Sequence, residues 1–529
     1  MPRGARRRRG RKVLLPVVLV LVVVAGAGLA VWRLDLVDRW VTGESPDPST
    51  DPAAVAPPPG LEVPSITDPS PLLDVSAADG AVVDTAAVAA ALTPWLADPV
   101  LAGRILVGVA PLDADDATTS GQQTYVAGPE RVTPASTTKL LTSVAALEAL
   151  GGDHTFTTSV VDGTDPAAGA DAPGRVVLVG GGDPYLAREP VEAGSAASRV
   201  PIRADLRTLA TETAAALQAR GRTSVQVAYD ASLFTGPAVN PFWPADYVPD
   251  DVVAPITSLW VDRGRAADDA DDVVADPAAD AAAWFAGALA EAGIQVVGEP
   301  TAGLGGNGEP LATAESAPLE NIVERLISVS DNETTEVLAH HVGLAVAGDA
   351  SFEGGAAATR EVLAGLGVDL GGDVLRDGSG LSRENALSAA TLLGVVEVAA
   401  AEEHPELRPA LTGLPVAGFS GSLAGRFDTA DPAGLGDVRA KTGTLTGVQG
   451  LAGVLHDATG TPLRFVLVAD AVGEADGLDA RAAIDRAAAA LAACVCSTPL
   501  GEPEPTPSDP PSDPPSALAS TDPADAATG

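Results

Sequence analysis

Two stretches of this sequence cannot be packed into a core, and they set the limits within which everything else must fold. Residues 45–71 (SPDPSTDPAAVAPPPGLEVPSITDPSP) and 497–529 (STPLGEPEPTPSDPPSDPPSALASTDPADAATG) are dense in Pro, Asp and Ser. Proline removes backbone donors and the acids resist desolvation. The first stretch therefore reads as the centre of an extended linker over residues 33–75, and the second as a disordered, acidic, Pro-rich tail. The chain has 529 residues, and what remains between these stretches is long enough for more than one domain.

Ahead of the linker, residues 1–12 carry seven positive charges and no acid, and residues 13–32 (VLLPVVLVLVVVAGAGLAVW) carry no charge. Twenty such residues are enough to cross a bilayer, and the basic flank places the preceding end in the cytoplasm. The expectation is a single-pass membrane anchor with an extracytoplasmic C-terminal part. Ala25-Gly26-Ala27 offers the alternative of a cleaved signal peptide and a secreted product. Eight of the 32 basic residues lie in residues 1–33, leaving 24 against 71 acidic residues for the exported part. That balance argues against nucleic acid as a partner, and its plainest meaning is a solvated acidic surface. Two cysteines, Cys494 and Cys496, are too few for a disulfide scaffold and too close for a C-x-x-C metal site.

Lysine is the informative residue. The chain contains three, Lys12, Lys139 and Lys441, and arginine supplies nearly all the other positive charge. Where a chain so biased toward Arg keeps Lys, the expected reason is chemistry that needs an amine able to lose a proton. Lys139 closes Ser136-Thr-Thr-Lys139 at the start of an apolar helical pattern, and Lys441 opens Lys441-Thr442-Gly443-Thr444. Helix-start propensity alone explains a serine three residues before a lysine. Finding both motifs on the two exported lysines, however, has a chance on the order of one in a thousand at ordinary residue frequencies. Between them, Ser330-Asp331-Asn332 follows the helical pattern Ile322, Val323, Leu326, Ile327, where the plain reading is a polar turn between helices.

The order Ser-x-x-Lys, Ser-x-Asn, Lys-Thr-Gly resembles the penicillin-binding proteins and serine β-lactamases. Further stretches, VVLVGGGDPYL (176–186), LRDGSGLSREN (375–385), LPVAGFSGSLAGRF (414–427) and KTGTLTGVQGLAG (441–453), resemble the class C low-molecular-mass penicillin-binding proteins. These are the D-alanyl-D-alanine carboxypeptidases and endopeptidases of peptidase family S13, and the similarity runs from about residue 83 to 493. The 194 residues from Ser136 to Ser330 exceed what one helical subdomain needs, and this family carries one or two domains inserted there. The resemblance implies an α+β transpeptidase-like domain, helices packed on an antiparallel sheet, formed by residues 76–153 and 318–496. The insert, 154–317, contains strand-like runs such as RVVLVGG and SVQVAYD and is expected to be β-rich.

Helical spacing puts Ser136 and Lys139 one turn apart on one face. The expected roles are Ser136 as nucleophile and Lys139 as general base, its pKa lowered by burial and by a second cation, Lys441. Ser330 is expected to relay a proton, and Asn332 to hold a peptide carbonyl and the lysine. By resemblance, the backbone N–H groups of Ser136 and Thr444 form the oxyanion hole, and Thr442 and Thr444, flanking Gly443, bind the substrate carboxylate. The implied substrates are D-Ala-D-Ala stem peptides of peptidoglycan, with β-lactams acylating Ser136 as mimics. No metal and no cofactor is implied; His340 and His341 are adjacent on a helix and point apart. GLGGNG (303–308) lacks the strand and helix of a dinucleotide site and reads as a loop. The alternatives are a wall-binding scaffold that kept the fold, or a β-lactamase.

Overall fold

Three long strands with apolar residues on both faces build the centre of the molecule. In the computed structural model, which describes residues 82–112, 124–163, 174–191, 201–266, 272–306 and 308–498, they belong to a five-stranded antiparallel sheet. Its order is β10 (Arg439–Leu445), β11 (Val448–His456), β12 (Pro462–Ala469), β2 (Ile105–Pro111), β3 (Tyr125–Ala127). Along β12, Leu463, Phe465 and Leu467 face one way, against α1 (Thr85–Leu96) and α9 (Gly477–Ala492). Val466 and Val468 face the other, against the helices that carry the site. Alternation with period two thus buries both faces of the sheet.

That second layer contains α2 (Lys139–Leu150), α5 (Leu319–Val329), α6 (Asn332–Ala347), α7 (Phe352–Gly365) and α8 (Ala389–Ala400). Leu140, Leu141, Val144 and Leu147 of α2 pack with Ile322, Val323, Leu326 and Ile327 of α5. Several helices begin on a side-chain cap: Asp84 accepts from Ala86 and Ala87 N–H, Asp331 from Thr334, Ser351 from Gly354 and Ser388 from Thr391. Each such cap stabilises its helix by about 1 kcal/mol.

The chain leaves this layer at His154 and re-enters at Pro318, where Leu319 N–H donates to His154 O at 2.9 Å. Between them lies a sheet ordered β7 (Gln295–Val296), β6 (Ser224–Asp230), β5 (Gly174–Val179), β4 (Thr157–Asp162), β9 (Pro310–Glu315), with β8 (Thr301–Ala302) also on β6. Its first and last strands, β4 and β9, pair antiparallel, so the excursion starts and ends side by side. β5 and β6 are parallel and are joined through α3 (Leu206–Ala219), the crossover that parallel pairing demands. α4 (Pro277–Glu291) packs beside α3, so the insert is a mixed sheet with two helices on one face rather than strands alone. From 231 to 266 the insert runs as irregular chain with one short turn, and it carries Trp243, Trp260 and Ile256 onto Val337, Phe352 and Leu381 of the catalytic layer. The glycine-rich run begins in a loop, with Gly305 N–H on Asp230 at 2.7 Å.

One expectation at the C-terminal end needs correction. The tail was expected to begin at Ser497, yet Ser497–Thr498 forms β13 and pairs with β1 (Val82–Val83). Cys494 and Cys496 are disulfide-bonded to each other just before that strand. The apolar segment 13–32, the linker 33–75 and the tail beyond Thr498 lie outside the described residues. Among the described residues no helix is long and apolar enough to cross a membrane.

Candidate active site

The Ser136 segment is tighter than a helix start. Residues Ala135–Thr138 form a 3₁₀ turn and α2 begins at Lys139. Thr137 and Thr138 turn their hydroxyls back onto Pro134 O and Ala135 O (2.8 and 2.9 Å). The Thr137 hydroxyl adds to the bond its own N–H makes to Pro134 O, and Ser136 Oγ, half-buried, is left for the cleft. Two neighbours press on this turn where only glycine fits. A Cβ on Gly380 would lie 1.9 Å from Ala135 O, and one on Gly443 would lie 2.8 Å from Pro134 O. The glycine of Lys-Thr-Gly is therefore a close-approach position, letting edge strand β10 pass over the turn.

Lys139 is fully buried, and its Nζ has three acceptors: Ser136 Oγ at 2.9 Å, Asn332 Oδ1 at 2.7 Å and Ser379 O at 2.8 Å. Asn332 Oδ1 and the Ser379 carbonyl can only accept, so they hold two N–H bonds. The remaining direction, which becomes the lone pair when the amine is neutral, points at Ser136. Burial lowers the Lys139 pKa to about 8, while Glu336, Asp377, Asp331 and Glu333 oppose the drop.

Lys441 is also fully buried, donating to Ser330 Oγ at 2.7 Å and to Thr442 O at 3.0 Å. Its pKa falls well below the usual lysine value, through burial first and then the charges of Lys139 and Arg426. Here the sequence-based expectation is corrected: burial lowers Lys139, and it is Lys441 that is depressed by its fellow lysine. Ser330 ends α5 in the left-handed region (φ 62°) and Asn332 opens α6, so the turn hands one side chain to each lysine. Asp331 between them points away, capping Thr334 N–H and receiving Arg263 from the insert at 3.1 Å. Thr442 Oγ1 lies 2.9 Å from Ser422 Oγ, and Thr444 stands exposed at the mouth of the cleft.

The structure thus brings Ser136, Lys139, Ser330, Asn332, Lys441, Thr442, Gly443 and Thr444 into one cleft, and adds groups that motif reading did not name. Buried Glu336 accepts from Gly378 and Ser379 N–H at 3.1 and 2.7 Å, which aims the Ser379 carbonyl at Lys139. Burial and Asp377 push its pKa up to about 8. Asp377 binds the N–H groups of Gly380 and Ser382, the Asn385 amide and the Trp243 indole. The DGSG run was the one available signal for this loop.

The sequence matches the model of the D-Ala-D-Ala carboxypeptidase 3 (S13) family over residues 88–272 and 267–491. The chain belongs to this family. Among S13 relatives it is 35% identical over 507 residues to carboxypeptidase DacB of Mycolicibacterium smegmatis, covering 93% of this chain and 99% of that one. It is 33% identical to a D-alanyl-D-alanine carboxypeptidase of an Actinomadura strain, over 70% of this chain and 79% of the relative. The fold matches penicillin binding protein 4 of Haemophilus influenzae with a TM-score of 0.58 at 20% identity, over 77% of this chain and 98% of the other.

Other candidate chemistry lies elsewhere. His340 and His341 are buried, bonded to Glu336 O and Gly182 O and packed on Phe352 and Phe156, and burial lowers both pKa values to about 4. Among the described residues one group, Glu148, His404 and Glu406, has its donor atoms within 4.8 Å of one another. It sits at the far end of α2 from Lys139, on the surface.

Proposed function

We propose that this chain is a serine-type D-alanyl-D-alanine carboxypeptidase acting through an acyl-enzyme on Ser136. The observation that carries the mechanism is the Lys139 amine at 2.9 Å from Ser136 Oγ, its other two hydrogen-bonding directions tied to Asn332 and Ser379. With its pKa near 8, about one amine in ten is neutral at pH 7, enough to serve as a base. Neutral Lys139 takes the Ser136 proton as Oγ attacks the carbonyl carbon of the penultimate D-Ala. The resulting oxyanion is held by the backbone N–H groups of Ser136 and Thr444. The C–N bond then breaks as the proton taken by Lys139 passes through Ser330, hydrogen-bonded to Lys441, to the departing D-Ala amine, which leaves Lys139 neutral again. Water, deprotonated by Lys139, hydrolyses the ester and frees Ser136. Edge strand β10 gives the peptide a partner, with the terminal carboxylate on Thr442 and Thr444. The same chemistry cleaves a cross-link when the departing amine belongs to a second stem peptide. β-Lactams enter by the same attack and leave Ser136 acylated.

The basic segment 1–12 and apolar segment 13–32 support an extracytoplasmic, membrane-anchored placement. Protease treatment of intact cells should digest the catalytic part and spare a short N-terminal fragment.

Labelling with a fluorescent penicillin, followed by assay of D-Ala release from a pentapeptide, tests the reaction. The wild type should label and release D-Ala, and Ser136→Ala should do neither. Labelling that persists in the variant removes Ser136 as nucleophile.

A further inference from the structure

Lys139 owes its orientation to two acceptors besides Ser136, the Asn332 amide oxygen and the Ser379 carbonyl. Neither acceptor sits in the middle of a regular element. Asn332 follows the Ser330–Asp331 turn at the very start of α6, and Ser379 lies in the loop 377–382. Both places are gripped by the same stretch of the insert, the irregular chain 231–266.

At the first place, the Asp331 carboxylate, 2% exposed, has one oxygen on Thr334 N–H at 3.1 Å and the other 3.1 Å from Arg263 Nη1. The Tyr185 hydroxyl, also from the insert, lies 3.4 Å from that second oxygen. The Asp331 charge is in turn the main reason the Arg263 pKa is raised. The backbone that delivers Arg263 is costly. Asp262 and Arg263 both lie in the left-handed region, φ 47° and 60°, which non-glycine residues keep only where their surroundings impose it. Ser330, beside the receiving carboxylate, is left-handed as well at φ 62°. Two strained turns thus meet across one ion pair, and the residue so held is the one from which Asn332 departs toward Lys139.

At the second place, Asp377 gathers the loop, accepting from Gly380 and Ser382 N–H at 3.0 and 2.6 Å and from the Asn385 amide at 2.6 Å. The insert adds the Trp243 indole N–H on Asp377 and the Asn240 amide on Arg376 O, both at 2.8 Å. Trp243 is buried and packs edge-on against Phe352 of α7, 5.2 Å between ring centres, so its N–H has a fixed direction. We propose that the insert positions the general base: Arg263, through Asp331, and Trp243, through Asp377, hold the two acceptors that leave the third direction of the Lys139 amine for Ser136. This inference rests on the reading of Lys139 as the base.

The test compares the full-length wild type with Arg263→Ala, Arg263→Lys, Trp243→Phe, Asn332→Ala and the double variant Arg263→Ala/Asn332→Ala. Fluorescent-penicillin acylation is resolved into its rate constant and the binding constant before it, with the label burst counting folded sites. Arg263→Ala should lower the rate constant about tenfold and Trp243→Phe about threefold, each with the binding constant within about twofold. Arg263→Lys should recover part of the loss. In the Asn332→Ala background, removing Arg263 should add less than about threefold, because the group it positions is already gone. Arg265→Ala breaks the neighbouring ion pair of the same segment and controls for general loosening; its acylation should stay near wild type. An unchanged rate constant in Arg263→Ala, the full tenfold loss in the Asn332→Ala background, a loss carried by the binding constant, or an equal loss in Arg265→Ala would each overturn the positioning role. A wild type that fails to acylate would instead sink the Ser136 reading itself.

Discussion

The two walls of the cleft each present a fully buried lysine, and they hold it in opposite electrostatic settings. On the helix wall, Lys139 is surrounded by Glu336, Asp377, Asp331 and Glu333, which check the drop in its pKa at about 8. On the strand wall, Lys441 feels Lys139 and Arg426, and its pKa falls well below the ordinary value. Identical side chains with identical burial thus meet opposite neighbours: acids that hold the ammonium form at Lys139, and cations that oppose it at Lys441. The difference teaches that burial alone does not make a base: acids around Lys139 check the fall in its pKa, while Lys441, in the proposed mechanism, positions Ser330 for the proton relay.

Lys139→Arg should break this comparison most severely. A guanidinium keeps the positive charge but cannot give up its proton, so penicillin acylation measured by stopped flow should fall about 10³- to 10⁴-fold. Lys441→Arg should cost less, about 10²-fold, because the residue lost is a partner of Ser330 rather than the base. A larger loss at Lys441 than at Lys139 would reverse the assignment.

A smaller effect should come from the brace behind the helix wall. Arg265 meets buried Glu333 at 2.6 Å, and Arg265→Ala removes that ion pair, leaving the carboxylate only the more distant charge of Arg263. Thermal unfolding should report a loss of about 3 kcal/mol, with acylation changed little in the protein that remains folded. The smallest effect sharpens the comparison. Glu336→Gln removes an acid that favours the Lys139 ammonium, so the amine should lose its proton at lower pH. The acid limb of the acylation profile should then move toward lower pH; a move upward would mean that Glu336 acts on Lys139 with the opposite sign.

Much of this site was legible because its lysines are rare. Lys139 and Lys441 stood out in a chain that otherwise uses arginine, and the Ser330–Asn332 turn fell between them in order. The supports were harder to see for physical reasons. The acceptor on Lys139 contributed by Ser379 is a backbone carbonyl, which leaves no side-chain signature. Glu333 and Glu336 lie one turn apart on a helix start and resemble a solvated face, yet both are buried because Arg265 and two loop N–H groups meet them. In the insert, valine-rich strands were conspicuous. The alanine-rich helix PAADAAAWFAGALAE has small apolar residues on every face, so its period gives little contrast. The long irregular segment 231–266 has no periodicity at all, although it delivers Trp243, Trp260, Arg263 and Arg265 to the catalytic layer.

The central claim is that a neutral Lys139 takes the proton from Ser136, and the pH dependence of penicillin acylation tests it most directly. A lowered lysine pKa means the working, unprotonated form accumulates as pH rises, so the rate should climb through a single ionisation near pH 8 and then level off. In Lys139→Arg that ionisation should vanish from the residual rate. A profile that stays flat from pH 6 to about 10, or one whose ionisation survives in Lys139→Arg, would contradict the account.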